Sequence, residues 1–230
     1  MRKWGVVISV FYALVVVALL VPAGMILAGD DNSLHQIFVN DVLDVYGEWL
    51  AWVPMVAVVA GEAALLFLSI DTTFRRLKPR AHVASTITIS SMLFALLAFA
   101  ALSAIGVAAF HDKFIDKFWA TEAEVLVIWA ALWLVWALVF YFYFRGSARG
   151  VTQAVSWLLK GSVLELLIAV PCHIIVRRRQ DCSAPVATSF GIVTGVAIML
   201  LSFGPSVLLL YKKRLDAYTS AHRREAASKA

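Results

Sequence analysis

The chain has 230 residues, of which 62% are hydrophobic and only 15% are charged, and its formal net charge is +5. A soluble domain of ordinary composition carries about 25% charged residues, so a water-soluble fold could not cover this much apolar surface. The basic residues occur in short clusters between apolar runs instead of along one face, which argues against a nucleic-acid-binding protein. The composition predicts an integral membrane protein whose main partner is the lipid bilayer.

Five apolar runs are clearly long enough to cross a bilayer as helices of about 20 residues. The first follows a short basic start, but it is longer than the core of a secretory signal, which favours a membrane helix. The runs are residues 4–28, 49–70, 83–110, 125–144 and 186–211. With a further crossing between the last two, they predict an all-α bundle of six transmembrane helices over residues 1–211. A basic tail is expected over residues 212–230.

Residues 151–176 are the ambiguous segment. Their first turns place apolar side chains on one face and polar side chains on the others, which is typical of an interfacial helix. After Gly161 only about 15 residues remain before Arg177, which is short for a crossing, and Pro171 interrupts them. The segment either crosses, as a short fifth span that contains a proline and follows an interfacial helix, or enters the bilayer and returns.

The distribution of Lys and Arg favours the crossing. Short cytoplasmic loops are enriched in these residues, and six spans leave a larger excess of them on one side than five spans and a re-entrant segment do. Both termini are then expected in the cytoplasm, and the protein in a plasma (inner) membrane. The loop between the first two runs fits this orientation because it has acidic residues and no Lys or Arg. Its acidic residues are Asp30, Asp31, Asp41, Asp44 and Glu48.

Two carboxyl groups fall inside apolar runs. Glu62 is near the centre of the second run, and Glu165 is expected at a similar depth if its segment crosses. An acidic side chain at that depth costs about 2.5–3.5 kcal/mol on insertion scales, so both residues are candidates for function. If their helices touch, the two carboxylates would form a cation or proton site. Lys160 precedes Glu165 closely, but its long side chain can reach the membrane surface instead of pairing with the acid.

The alternative for Glu62 is a structural hydrogen bond. The third run offers hydroxyl groups for this purpose, all but one of them in its first half. They belong to Ser85, Thr86, Thr88, Ser90, Ser91 and Ser103.

A second cluster of reactive side chains follows the fifth segment, in the predicted outer loop. On a continuous helix Cys172 shares the face of Glu165, and His173 lies beside it. Cys172 and Cys182 could form a disulfide in an oxidising exterior, or remain as thiols. A third hypothesis is a metal or redox site that includes His173 and His35 or His111, but no standard metal-binding spacing is present. The sequence identifies neither a metal nor a cofactor.

Three consecutive arginines, Arg177, Arg178 and Arg179, are on the predicted outside and so run against the usual distribution of positive charge. One hypothesis is that they pair with the acidic residues of the first outer loop. Another is that they bind lipid head groups or an anionic ligand.

Small residues four apart mark two helix faces that could pack closely. The last run has Ala187, Gly191 and Gly195, and the third run has alanines with the same spacing at 100, 104 and 108. Small side chains let helix backbones approach each other in lipid. The pattern predicts packing within the chain, or an interface with a membrane-protein partner or a second copy through Ala187, Gly191 and Gly195.

The sequence contains no nucleotide-binding or hydrolase motif, so it does not indicate an enzyme. Three classes of function remain open. A non-enzymatic accessory or assembly partner is favoured because it requires no special chemistry of any residue. The alternatives are a small transporter or channel that uses Glu62 and Glu165, and a membrane redox or metal protein built on the Cys-His cluster.

Overall fold

The computed structural model describes residues 2–29, 42–74, 79–110, 121–144, 150–179 and 184–207, together with Tyr211 and Tyr218. These residues are almost entirely helical, as expected in lipid, where a helix satisfies its own backbone hydrogen bonds. The elements are α1 (Arg2–Val15), a π-helical turn (Val16–Leu20), α2 (Val21–Ala28), α3 (Val42–Gly47), α4 (Trp49–Phe74), α5 (Pro79–Phe110), α6 (Glu122–Phe144), α7 (Gly150–Arg179) and α8 (Ala184–Leu201).

Six helices are long and apolar enough to cross a membrane, which confirms the predicted all-α membrane bundle. They are Trp4–Ala28, Trp49–Ile70, Val83–Phe110, Glu122–Phe144, Gly150–Arg179 and Ala184–Val207. The predicted basic tail, residues 212–230, lies outside the described residues apart from Tyr218.

The fifth of these helices corrects the sequence prediction. The predicted boundary at Gly161 is absent, because α7 is one continuous helix of 30 residues and is not a short span after an interfacial helix. One face of its first turns is buried, since Ala154 and Leu158 have no exposed surface. Gly161 serves close packing, since a Cβ at this position would lie 2.7 Å from Cε2 of Phe94. The amphipathic pattern therefore reflects burial against other helices, not a membrane surface.

The course of α7 is that of a crossing helix and not of a re-entrant one. At its start, Trp157 packs against Tyr143 near the end of α6, with ring centroids 5.2 Å apart. At its other end, Arg177 and Arg179 reach the last residues of the first and third apolar helices. We call this end of the bundle, where Arg177, Arg178 and Arg179 lie, the arginine end.

Two prolines lack the backbone N–H that would bond a carbonyl one turn earlier in the helix. In each case a tyrosine from another helix donates a hydrogen bond to that carbonyl. Pro205 lacks the N–H that would bond the carbonyl of Leu201 in a helix, and the Tyr12 hydroxyl donates to that oxygen at 2.8 Å. Pro22, at the start of α2, likewise has no N–H to donate to the carbonyl of Val17 in the preceding π-helical turn, and this carbonyl accepts a hydrogen bond from Tyr46. Burial raises the pKa of Tyr46, which keeps its hydroxyl protonated as a donor. The prolines thus create specific contacts between helices.

The bundle is arranged around α5 and α8. These two helices are the most buried of the six, and α6 is the least. Ala100 and Ala104 of α5 and Ala187 of α8 have no exposed surface, and a Cβ at Gly191 would lie 3.6 Å from the carbonyl oxygen of Ala100. The small residues therefore let the two backbones approach each other within one chain.

Candidate functional site

A row of small and hydroxyl-bearing residues on α8 organises the buried polar groups of the bundle. Thr188, Gly191 and Gly195 of α8, and Ser202, which directly follows α8 in the same membrane helix (Ala184–Val207), come at intervals of three, four and seven residues, so they lie on one face of that helix. Each is buried, and each contacts an ionisable side chain of another helix, as described below. We call these four residues the α8 polar face.

Glu165 of α7 lies against the two glycines in the middle of this face. Glu165 is only 2% exposed. A Cβ at Gly191 would lie 2.9 Å from its Oε1, and a Cβ at Gly195 would overlap its Oε2. A side chain at position 195 would occupy the space of the carboxyl group, and one at position 191 would crowd it. The glycines at 191 and 195 therefore accommodate a buried acid as well as close helix packing.

Neither carboxyl oxygen of Glu165 has a hydrogen-bond partner among the described residues. Nearby are apolar groups, including Ala169 on its own helix. Buried polar atoms are nearly always paired, and each exception calls for an explanation. Lys160 is not the missing partner of Glu165, because its side chain is exposed and points away from the bundle interior.

Glu62 of α4 is fully buried but has a partner. Its Oε1 accepts a hydrogen bond from Ser202 Oγ at 2.7 Å, whereas its Oε2 has no partner among the described residues. The Tyr12 hydroxyl comes close to this level of α8, where it contacts Gly204 and bonds the carbonyl of Leu201. Glu62 therefore belongs to a small polar cluster between α1, α4 and α8.

The hydrogen-bond donor to Glu62 differs from the one expected. The hydroxyls of the third run were predicted to serve, but Ser90 and Ser91 donate to carbonyls of their own helix, those of Thr86 and Thr88, at 2.5 and 3.0 Å. A serine in a helix can always bond the preceding turn. Ser202, next to the helix disturbance at Pro205, supplies the contact instead.

The two acids do not share one level of the bundle, contrary to the sequence prediction. Glu165 contacts α8 at Gly191 and Gly195, and Glu62 contacts it at Ser202. Seven residues separate Gly195 from Ser202, which is about 10 Å along a helix. The sequence prediction of equal depth assumed that all helices begin and end at the same level. The length of α7 and its offset relative to α8 place Glu165 at a different level from Glu62. Both acids nevertheless face the same side of α8.

His173 continues the row towards the arginine end. Its Nδ1 lies 2.8 Å from Thr188 Oγ1, and both side chains are buried. Cys172 lies seven residues after Glu165 on the continuous helix α7 and is half-buried, whereas its neighbour His173 is buried together with Ala169. Its predicted disulfide partner Cys182, together with His35 and His111, lies outside the described residues.

The arginines at the end of α7 bind helix carbonyls. Arg177 Nη2 donates to the carbonyl of Gly29, and Arg179 Nη1 donates to that of Ala108, each at 2.6 Å. Carbonyls at helix C-termini lack intrahelical partners and carry partial negative charge, so cations stabilise them. Arg178 is exposed. Of the predicted acidic partners, Asp30, Asp31 and Asp41 lie outside the described residues; Asp44 and Glu48 are exposed.

The structure also bears on the two remaining site hypotheses. Among the described residues, no group of three or more His, Cys, Asp or Glu side chains could hold a metal ion. Ala187, Gly191 and Gly195 are buried within one chain, so an interface with a partner or second copy through them would require α7 to move.

Sequence reasoning identified Glu62, Glu165 and His173 but missed three of their neighbours: Tyr12, Thr188 and Ser202. The signal for Tyr12 was the pair Gly204-Pro205, which frees a carbonyl and leaves space beside it. Thr188 and Ser202 were two of the few hydroxyls in the last apolar run. Comparisons with protein-family models, with characterised proteins and with solved structures found no match. The function must therefore be inferred from the site itself.

Proposed function

We propose that this protein conducts protons across its membrane along the α8 polar face. The observation that carries the proposal is the alignment of three ionisable side chains, His173, Glu165 and Glu62, on one face of a single helix. From Thr188 to Ser202 the face extends over about 21 Å, out of about 30 Å of hydrocarbon. Rows of acidic and histidine side chains inside a membrane are typical of proton relays.

Glu165 is the central group of this proposal. A structural acid would be expected to have a hydrogen-bond donor nearby, and Glu62 has one in Ser202. Glu165 has none among the described residues, yet α8 leaves space for it by having glycine at two positions. A carboxyl group without fixed partners can exchange its proton with whichever donor or acceptor reaches it.

Protons fit the site better than metal cations do. A hard cation such as Ca²⁺ takes about six to eight oxygen ligands, whereas the Glu165 oxygens lie beside two glycines and have no hydrogen-bond partner among the described residues. Along the helix axis, the contact of His173 at Thr188 is about 5 Å from that of Glu165 at Gly191, and the contact of Glu165 at Gly195 is about 10 Å from that of Glu62 at Ser202. These steps exceed one hydrogen bond, so transfer between the groups would pass through water molecules or side-chain rotation.

Proton flux into liposomes tests this function. The purified protein is reconstituted with a pH-sensitive dye inside, and a potassium gradient with valinomycin drives protons inward. We expect the wild-type protein to acidify the interior faster than protein-free liposomes, and Glu165→Gln to reduce this rate at least tenfold. Glu122→Gln is the matched control, because Glu122 is an exposed acid at the start of α6. A wild-type rate equal to that of protein-free liposomes, or an unchanged rate in Glu165→Gln, would contradict the proposal.

A specific feature favours the second candidate, an accessory or assembly role. Helix α6 is the least buried of the six membrane helices, and it presents exposed apolar side chains such as Leu134 and Leu138. A partner helix could cover this surface. This role would be preferred if no proton flux is observed and a photo-crosslinker at Leu134 captures one defined protein in native membranes.

A further inference from the structure

An apolar cavity of about 400 Å³ opens on another side of α8, away from the polar face. The walls come from the first apolar helix and from α3, α4, α5, α6 and α8. The volume falls within the range of about 300–1,000 Å³ that is usual for ligand sites. Almost all of the lining is apolar. Ser189, one of its few polar residues, donates its hydroxyl to the carbonyl of Val186, so this hydroxyl is already paired within α8.

The cavity is as long as one leaflet of a bilayer is thick. On α8 its lining extends from Val186, near the arginine end, to Ala197. The eleven steps from residue 186 to residue 197 correspond to about 16 Å, which is close to half of the roughly 30 Å hydrocarbon core. On α4 the lining begins at Leu50, close to the helix start, and reaches Val58. The cavity therefore runs from one membrane interface to about the middle of the bilayer.

The width of the cavity suits a single hydrocarbon chain. A volume of about 400 Å³ spread over about 16 Å gives a mean cross-section of about 25 Å². Since non-bonded carbon atoms approach to about 4 Å, one packed chain needs roughly 16–25 Å².

We infer that this cavity binds one acyl chain of a phospholipid from the leaflet at the arginine end. The chain would fill the space between α4, α6 and α8, and its glycerol and phosphate would stay at the membrane interface. The same end of the bundle carries Arg177, Arg178 and Arg179, of which Arg178 is exposed. None of the three lines the cavity, but cationic side chains at this interface attract phosphate head groups to this end of the bundle. The inference does not depend on the proposed proton conduction, because the cavity and the polar face are on different sides of α8.

Native mass spectrometry of the purified protein in mild detergent tests the inference. We expect the wild-type protein to retain one phospholipid, and Ala51→Phe, which fills the cavity from α4, to lower the lipid-bound fraction at least fivefold. Ala131→Phe is the matched control. It introduces the same side chain on the exposed surface of α6, at a residue that does not line the cavity. It should retain the lipid at the wild-type level.

A second pair of variants covers the case in which Ala51→Phe does not fold. Val186 lines the cavity near the arginine end and is 47% exposed, so Val186→Trp should block entry without disturbing the core. Leu200→Trp, at a site of similar exposure on the same helix, is its control. The inference is wrong if the wild-type protein carries no lipid, if the bound molecule is not a phospholipid, if a folded cavity variant retains it fully, or if the controls lose it equally.

Discussion

The two buried acids of this protein, Glu62 and Glu165, have nearly the same burial but opposite surroundings. Glu62 accepts a hydrogen bond from Ser202, and Tyr12 lies close by on α1. Glu165 has no hydrogen-bond partner among the described residues, and two glycines leave space for it. The difference shows that burial of an acid does not by itself indicate its role. A paired acid stabilises helix contacts, whereas an unpaired one reduces stability and is better explained by function.

The largest expected effect concerns the glycines that accommodate Glu165. Gly195→Leu would force its side chain onto Glu165 and Leu166, and overpacking of this kind costs about 1–3 kcal/mol or more. We expect a clear fall in the free energy of unfolding, measured by titration with SDS. Gly47→Leu is the control, because a Cβ at Gly47 has no neighbour within 4 Å. Equal stability of the two variants would show that the contact between α7 and α8 is loose.

Replacing each acid by leucine should change stability in opposite directions. Glu165→Leu removes buried polar atoms that have no described partner, so the free energy of unfolding should rise by about 1–2 kcal/mol. Glu62→Leu removes the acceptor of the Ser202 hydroxyl and should lower it by about 1 kcal/mol. The same SDS titration measures both variants. If both substitutions stabilise the protein or both destabilise it, the proposed distinction between the two acids is lost.

A smaller effect is expected at the hydrogen bond itself. Ser202→Ala removes the donor to Glu62 and should cost about 1 kcal/mol. Ser206→Ala makes the same change one turn later. Among the described residues, this hydroxyl bonds only the carbonyl of Ser202 in its own helix, so its loss should cost only a few tenths of 1 kcal/mol. Thermal unfolding in detergent compares the two variants. A loss at Ser206 as large as that at Ser202 would mean that the bond to Glu62 contributes nothing specific.

The sequence predicted the membrane helices and both buried acids because these depend on local composition. It did not predict the donor to Glu62, since Ser90 and Ser202 are equally polar and only packing decides that one bonds its own helix and the other bonds the acid. The depth of Glu165 was not predicted because it depends on the full length of α7. The amphipathic turns before Gly161 resembled a separate interfacial helix, so the predicted span was too short. The relative burial of two neighbours was also not predicted, since His173 is buried against α8 and Cys172 beside it is only half-buried.

The central claim is that Glu165 exchanges its proton, and infrared spectroscopy of the reconstituted protein tests this most directly. The carbonyl stretching band of a protonated carboxyl group should disappear as the pH is raised and should shift in D₂O. The part of this band that belongs to Glu165 is the difference between the wild-type protein and Glu165→Gln. We expect that difference to be present, to titrate and to shift. A Glu165→Gln spectrum identical to that of the wild type, or a difference band that neither pH nor D₂O changes, would contradict the account.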